Sequence, residues 1–279
     1  MPPLIQWYPG HIAKAEKQLK EQLKRVDVVL EVRDARIPLA SHHPEVKNWI
    51  QDKPRILVLN RMDMIPSDIG QAWGDWLRLK NEIPYFTNAR KGKGVRAIVK
   101  AAQEVGVAGN KRRQARGMRE RPVRAVVIGF PNVGKSALIN RLVGRKAVKS
   151  ERRAGVTRQL QWVRISEKIE LLDAPGVIPW RLENQEDAVK LAICEDIGEA
   201  AYDNQLIAAA FVDILGDLEY GGVLSRYGLD LALLSGEEYI YNLAEARYKG
   251  DLERVAMLLL NDFRKGVMGP IPLELPPTI

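Results

Sequence analysis

The run Gly129-Phe130-Pro131-Asn132-Val133-Gly134-Lys135-Ser136 matches G-x-x-x-x-G-K-[ST] in full, and its residue types suit the holding of a phosphate chain. Glycines let the backbone close around phosphate oxygens. The amides from Asn132 to Ala137, at the start of a following helix, supply fixed donors; Lys135 adds a point charge and Ser136 offers a hydroxyl to magnesium. About 37 residues downstream stands Asp173-Ala174-Pro175-Gly176. A carboxylate there supports the metal directly or through water, and the Gly176 amide can approach a terminal phosphate without obstruction. Thr157, in the basic stretch between the two, is the candidate to close on magnesium when a γ-phosphate is present. Ser136, Thr157 and Asp173 are thus the candidate magnesium ligands, and Lys135, Thr157 and Gly176 candidate catalytic groups.

A second constellation precedes the first. Asn60-Arg61-Met62-Asp63 resembles the N-K-x-D base reader of GTPases, with Arg where Lys is usual. The carboxylate of Asp63 can accept both the ring N–H and the exocyclic amine of guanine, a donor pair that adenine lacks. A guanidinium plane can stack on the base where the usual Lys stem packs. Thr87-Asn88-Ala89 resembles the short S-A motif whose backbone amide meets the guanine carbonyl.

These motifs need strand ends and helix starts to aim them. The apolar run Val123–Ile128 before Gly129 and the run Ala137–Leu142 after Ser136 predict strand, loop and helix. Strands are also predicted at Val28–Val32, Ile56–Leu59, Tyr85–Thr87, Gln161–Ile165 and Ile169–Leu172, and helices at residues 11–26, Glu45–Gln51, Ile69–Leu79 and Val95–Val105. Such alternation implies a mostly parallel sheet covered on both faces. Residues 106–122 hold most of a run, Lys111–Arg124, with seven basic side chains against the single acid Glu120 and no apolar period; it reads as an exposed basic linker. His42 and His43, adjacent in a loop, read as solvated and not as metal ligands. Beyond residue 180 the pattern is helical, with Asp251 as an N-cap and Gly266 as a stop, and ends in an irregular Pro-rich tail from Gly269.

The order of the pieces is itself informative. In ordinary GTPases the phosphate loop comes first and the base reader last, whereas here the base-reading half (27–105) precedes the phosphate half (123–179). The sequence therefore implies an α/β P-loop GTPase domain, circularly permuted, over residues 1–179, followed by an all-α helical domain over 180–279. Permutation is physically permissible because the termini of compact domains lie at the surface, often close together.

Composition sets the outer bounds. The chain has 279 residues, 46% of them hydrophobic, enough for one large or two modest domains. One cysteine, Cys194, forbids a disulfide within the chain and makes a reducing, cytoplasmic setting the expectation. No apolar run is long enough for a membrane span, and the N-terminus offers no signal-peptide core. Residues 1–179 carry 35 Lys and Arg against 17 Asp and Glu, while residues 180–279 carry 8 against 18. A polyanionic partner is thus expected on the first part, and a domain boundary near residue 180.

The permuted order, the opening Trp7-Tyr8-Pro9-Gly10-His11-Ile12-Ala13-Lys14-Ala15, the strand end Arg33-Asp34-Ala35-Arg36-Ile37-Pro38, and the pair Gly129–Ser136 with Asp173–Gly176 together resemble the ribosome biogenesis GTPase A family along essentially the whole chain. The resemblance implies a GTPase that binds the large ribosomal subunit precursor, RNA and protein, acts late in its assembly, and turns over GTP to GDP with magnesium when stimulated by that particle. A monomer in the cytoplasm is the expectation, with a bacterial or an organellar origin left open by the sequence.

The position after Gly176, where a water-positioning Gln is common, is Val177, and an aliphatic side chain cannot orient water. Three replacements stand open. His11 matches the family's proposed catalytic histidine, although beside Trp7 and Tyr8 it could equally start a helix or touch RNA. Asn132 stands where related GTPases hold potassium, a fixed positive charge during phosphoryl transfer. The third is a group ordered by the ribosomal particle. A GTP-gated RNA or ribosome binding module with negligible turnover, and a GTPase of another RNA pathway, are the competing classes.

Overall fold

The computed structural model describes residues 19–144, 161–173, 184–198, 202–231 and 233–278. Its six strands are β1 (Val28–Asp34), β2 (Arg55–Asn60), β3 (Pro84–Thr87), β4 (Val123–Ile128), β5 (Gln161–Ser166) and β6 (Ile169–Asp173), in the spatial order β3-β2-β1-β4-β6-β5. Every pair is parallel except β5 with β6. Only Glu167 and Lys168 separate those two strands, and so short a connection serves only a hairpin. β1 runs to β2 through α1 (Val46–Ile50), β2 to β3 through α2 (Ser67–Leu79) and β3 to β4 through α3 (Val95–Gln114), while α4 (Lys135–Val143) follows β4. From β1 the chain lays β2 and β3 to one side, then crosses over to place β4 on the other. The carboxyl ends of β1 and β4 are therefore the switch point at which an open α/β sheet presents a crevice to ligands.

All seven residues of β1 are buried, as covering on both faces demands. On one face Val28, Leu30 and Val32 join Val58 and Val127, together with Ile98 of α3 and Leu138 of α4. On the other, Val29, Val126 and Leu172 pack with Leu19 and Leu23 of a helical stretch at 19–23, and with Val46, Trp49 and Ile50 of α1. That second face also buries Glu31, which accepts hydrogen bonds from Arg33 Nε and Arg55 Nη1 and meets His42 Nδ1, each at 2.7 Å. Burial alone would raise the Glu31 pKa, but the Arg33 charge and the His42 and Arg33 hydrogen bonds hold it well below the usual carboxylate range. His43, expected in solvent, is buried, with its ring 4.2 Å from that of Trp49.

Helix α3 departs from expectation by continuing to Gln114, so the basic stretch expected as a linker begins as helix. Its buried residues stop at Ala102, so the last three turns carry no apolar stripe by which sequence could announce them. Lys111, Arg112 and Arg113 occupy the final turn, where cations complement the helix dipole. The return to β4 is bracketed by Asn110, whose side chain donates to Arg121 O (3.1 Å) and accepts from Arg121 N (3.2 Å).

Among the described residues the remaining α-helices are α5 (Gln185–Ile193), α6 (Asn204–Asp217), α7 (Gly236–Tyr248) and α8 (Leu252–Lys265). Asp251 caps α8 by accepting from Arg254 N, and Gly266 ends it at φ +76°, as the sequence predicts. The hydrophobic core is continuous from the sheet into these helices, through Ala188 and Leu191 of α5 to Phe211 and Phe263, whose rings lie 4.8 Å apart. The Pro-rich end has no regular structure yet is packed down as a strap. Ile271 N donates to Met64 O (2.8 Å), Leu273 N to Arg36 O (2.9 Å), and the Glu274 carboxylate accepts from Leu39 N (2.8 Å) and Ala40 N (3.0 Å).

Candidate functional site

Strand register lines up a polar row at the carboxyl edge of the sheet: Asp34 pairs with Asn60, and Asn60 with Thr87. On the other flank Val127 pairs with Asp173, which brings the Asp173 backbone beside the strand that leads into the phosphate loop. Asn60 is the hub of this edge. Its Nδ2 donates to Val133 O (2.8 Å), and its Oδ1 accepts from Ala89 N (3.0 Å) and from Thr87 Oγ1 (3.2 Å). One buried amide thus ties the end of β2 to the end of β3 and to the loop after β4. Arg61 adds a second tie, donating from Nη2 to Asn132 O (2.6 Å) with Nε 3.4 Å from Asp34 Oδ2. Asp63 stands in the single helical turn Met62–Met64, its carboxylate exposed at this edge. Asn88 shapes the neighbouring turn by accepting from Lys91 N at 2.9 Å.

The loop geometry explains its glycines. Gly134 has φ +101°, and a Cβ there would lie 2.1 Å from Asn60 Nδ2; Gly129 has φ +148°, and a Cβ would lie 2.2 Å from Val32 O. Both are steric requirements of pressing this loop against β1 and β2. Asn132 sits at φ +56°, which Asn tolerates better than most residues, and its Nδ2 donates to Glu195 O at 2.6 Å, just beyond α5. Lys135 is buried and its Nζ donates to Phe130 O (2.6 Å) and Gly129 O (3.2 Å), so the ammonium lies against the loop. Ser136 and Ala137 follow in the first turn of α4, a turn free of acidic residues. A helix start with glycine-permitted close approach, a buried cation and no acid suits an anionic ligand.

Sequence reasoning gave no role to several buried groups behind this edge. Arg36 binds Asp34 through Nε (3.0 Å) and Nη2 (2.7 Å), both side chains fully buried. Burial opposes ionisation of Asp34, but the charges of Arg36 and Arg61 overcome it and lower its pKa. Arg36 also reaches Cys194 O (3.4 Å) and lies 4.9 Å over the Phe263 ring, joining the sheet to the helices. Asp196 is fully buried with neither carboxylate oxygen hydrogen-bonded. Burial and then the Asp34 charge push its pKa well above the usual range, against the pull of Arg61, Arg36 and Lys135. Burial likewise pushes up the Cys194 thiol, which excludes it as a ready nucleophile. The local signals were slight: an Arg-Asp-Ala-Arg strand end, and the acids Glu195 and Asp196 directly after the apolar run Leu191-Ala192-Ile193-Cys194.

The structure therefore brings Asn60, Arg61, Asn88, Ala89, Asn132, Val133, Gly134, Lys135, Ser136 and Ala137 to one edge, with Asp63 in the same loop as Asn60. His11, Thr157, Gly176, Val177 and the Asp173 side chain lie outside the described residues. Among the described residues no cluster of three or more His, Cys, Asp or Glu could hold a metal. None of their helices is long and apolar enough to cross a membrane.

Comparison with known proteins agrees with this geometry. Residues 124–214 match the family model described as 50S ribosome-binding GTPase. Ribosome biogenesis GTPase A of Bacillus cereus is 33% identical over 283 residues, covering 98% of this chain and 94% of that protein. A mitochondrial ribosome-associated GTPase 1 from Xenopus tropicalis is 34% identical and covers 80% of this chain and 74% of its own. Among solved structures, GDP-bound YlqF superposes with a TM-score of 0.68 at 24% identity, covering 93% of this chain and 99% of that one, and GNP-bound YlqF from T. maritima with 0.66. At that identity the structural likeness speaks for the fold. The sequence relationship, sustained at a third identity along nearly the full length, shows that the chain belongs to the ribosome biogenesis GTPase A family.

Proposed function

We propose that this chain is a GTP-hydrolysing assembly factor that acts on the large ribosomal subunit late in its maturation. In this reading GTP strengthens the grip on ribosomal RNA and hydrolysis weakens it. The observation that carries it is the Asn60 side chain bonded at once to Val133 and Ala89, because it joins the Asn60–Asp63 loop to the Gly129–Ser136 loop although the two are written in reversed order. Asp63 reads the guanine edge, the turn Asn88–Ala89 closes beside its carbonyl, and the amides from Asn132 to Ala137 hold the phosphates with Lys135. Magnesium would be held by the Ser136 hydroxyl with Thr157 and Asp173, all hard oxygen donors, and supplies charge neutralisation on the phosphates. The side-chain oxygen of Asn132 is the donor a potassium ion would take.

Val177 leaves the water without a protein amide to orient it, so intrinsic turnover is slow and His11, held by the particle, completes the site. Phosphate release measured with and without large-subunit precursors tests this: stimulation by the particle is expected, and His11→Ala should lower stimulated turnover by at least ~10-fold with GTP affinity unchanged. Co-sedimentation with the precursor should be stronger with a GTP analogue than with GDP. The same Val177 favours one second reading, a GTP-gated binding module, which predicts nucleotide-dependent co-sedimentation with no stimulated turnover.

A further inference from the structure

At the edge of the sheet opposite the nucleotide loops lies a shallow hollow of about 240 Å³ between the end of α3 and the start of β4. Arg112, Arg113, Arg116 and Arg121 line it, with Gly109 and Met118. Its one acid, Asp27, is occupied: Arg121 binds it through both Nη atoms at 2.7 Å, and Arg124 N donates to it at 2.9 Å. Glu120, the nearby acid, accepts from Gln114 Nε2 at 2.6 Å. Arg113 is fixed by donating to Arg119 O at 3.0 Å. Arg112 and Arg116 are exposed, and their side chains form no hydrogen bond or ion pair among the described residues. Arg112 in the last turn of α3 and Arg116 just past its end line the same hollow, where two like charges favour an anion between them.

We propose that this hollow docks the phosphodiester backbone of large-subunit RNA, and that it does so equally in both nucleotide states. The partner class rests on the function proposed above; the surface and its indifference to nucleotide are new. Helix-dipole complementation accounts for Lys111, Arg112 and Arg113 in the last turn but not for Arg116 and Arg119 beyond it. Six of the seven basic residues in Lys111–Arg124 are Arg, whose planar fork matches phosphate oxygens. An anchored frame holds them, through the Asn110 bracket and the Arg121–Asp27 pair, so little order must be gained on docking. Independence from the nucleotide follows from placement. The hollow touches Val123 at the amino end of β4, whereas the phosphate loop leaves its carboxyl end, roughly 17 Å away for a six-residue strand. No residue lining the hollow belongs to the Asn60–Asp63, Thr87–Ala89 or Gly129–Ala137 segments.

The test uses the full chain carrying Arg112→Gln and Arg116→Gln, with Lys249→Gln plus Lys265→Gln as a charge-matched control on the helical part. Binding to the large-subunit precursor and to its protein-free RNA is titrated against salt, with a GTP analogue and with GDP. The Arg pair should weaken both interactions ~10-fold or more at ~0.1 M salt and reduce the slope of log K against log salt by about 1.4–1.8, the release expected for two phosphate contacts. The factor should be the same in both nucleotide states, with unstimulated GTP hydrolysis and melting temperature unchanged. Binding equal to that of the control pair, a loss confined to one nucleotide state, or a loss on the precursor that is absent on protein-free RNA would each overturn the proposal. Failure of the wild-type chain to bind the precursor would instead remove the functional reading beneath it.

Discussion

Asn60→Ala is the perturbation that probes the joint between the two halves. The side chain makes three hydrogen bonds, to Val133 O, Ala89 N and Thr87 Oγ1, and is only 4% exposed, so water cannot replace it. At about 1 kcal/mol for each bond, the loss is about 3 kcal/mol. For a chain of this size that corresponds to a fall in melting temperature of about 6–12 °C. Nucleotide binding must then re-form the joint, so the affinities for GDP and GTP should fall by one common factor of up to ~100. The factor is common because these bonds join loop to loop and do not touch the γ-phosphate. Asn60→Asp keeps the acceptor for Ala89 N and Thr87 but sets a carboxylate against the Val133 carbonyl, so it should not rescue. The assays are thermal melting of the nucleotide-free protein and equilibrium titration with both nucleotides. A melting point within about 1 °C of wild type, together with affinities within about twofold, would refute the claim that Asn60 couples the halves.

Two further outcomes follow from buried acids. Asp196→Asn should stabilise the protein increasingly as pH rises: the folded pKa of Asp196 lies above its unfolded value, so wild type loses stability from about pH 4 upward through the folded value, and the amide does not. The gain at pH 8 should be on the scale of an unpaired buried group, about 1–3 kcal/mol, and should vanish near pH 4, as read by melting across that range. Glu274→Ala strips the acceptor from Leu39 N and Ala40 N and should cost about 2–4 kcal/mol. Because the strap also binds Met64 O beside Asp63, removing residues 270–279 should weaken GDP binding as well as lower the melting temperature, which a titration of the truncated chain reads directly.

The strands and the two motifs were legible because their signals are local. Apolar runs end directly on Gly129 and on Asn60, and a strand that ends on a loop residue aims it. The reversed order of the motifs was legible for the same reason. What escaped depends on partners remote in sequence. Arg36 meets Cys194 O across 158 positions and Glu274 meets Leu39 N across 235, and no window of sequence registers such pairs. The Pro-rich end reads as an irregular tail because the groups it docks on, Met64 O and Arg36 O, stand far upstream in the sequence. The overrun of α3 escaped because its final turns are solvated and stabilised by propagation along the helix, not by burial. His43 escaped because a histidine in a polar doublet gives no sign that a Trp49 ring will cover it.

Titration of the full chain with GDP, ADP and xanthosine diphosphate, for wild type and for Asp63→Asn, tests the central claim most directly. Wild type should favour GDP over ADP by at least ~100-fold, and Asp63→Asn should transfer that preference to xanthosine diphosphate, whose 2-oxo group accepts from an amide where guanine donates to a carboxylate. ADP bound as tightly as GDP, or an unaltered preference in the variant, would contradict a guanine pocket assembled from the Asn60–Asp63 and Gly129–Ser136 loops.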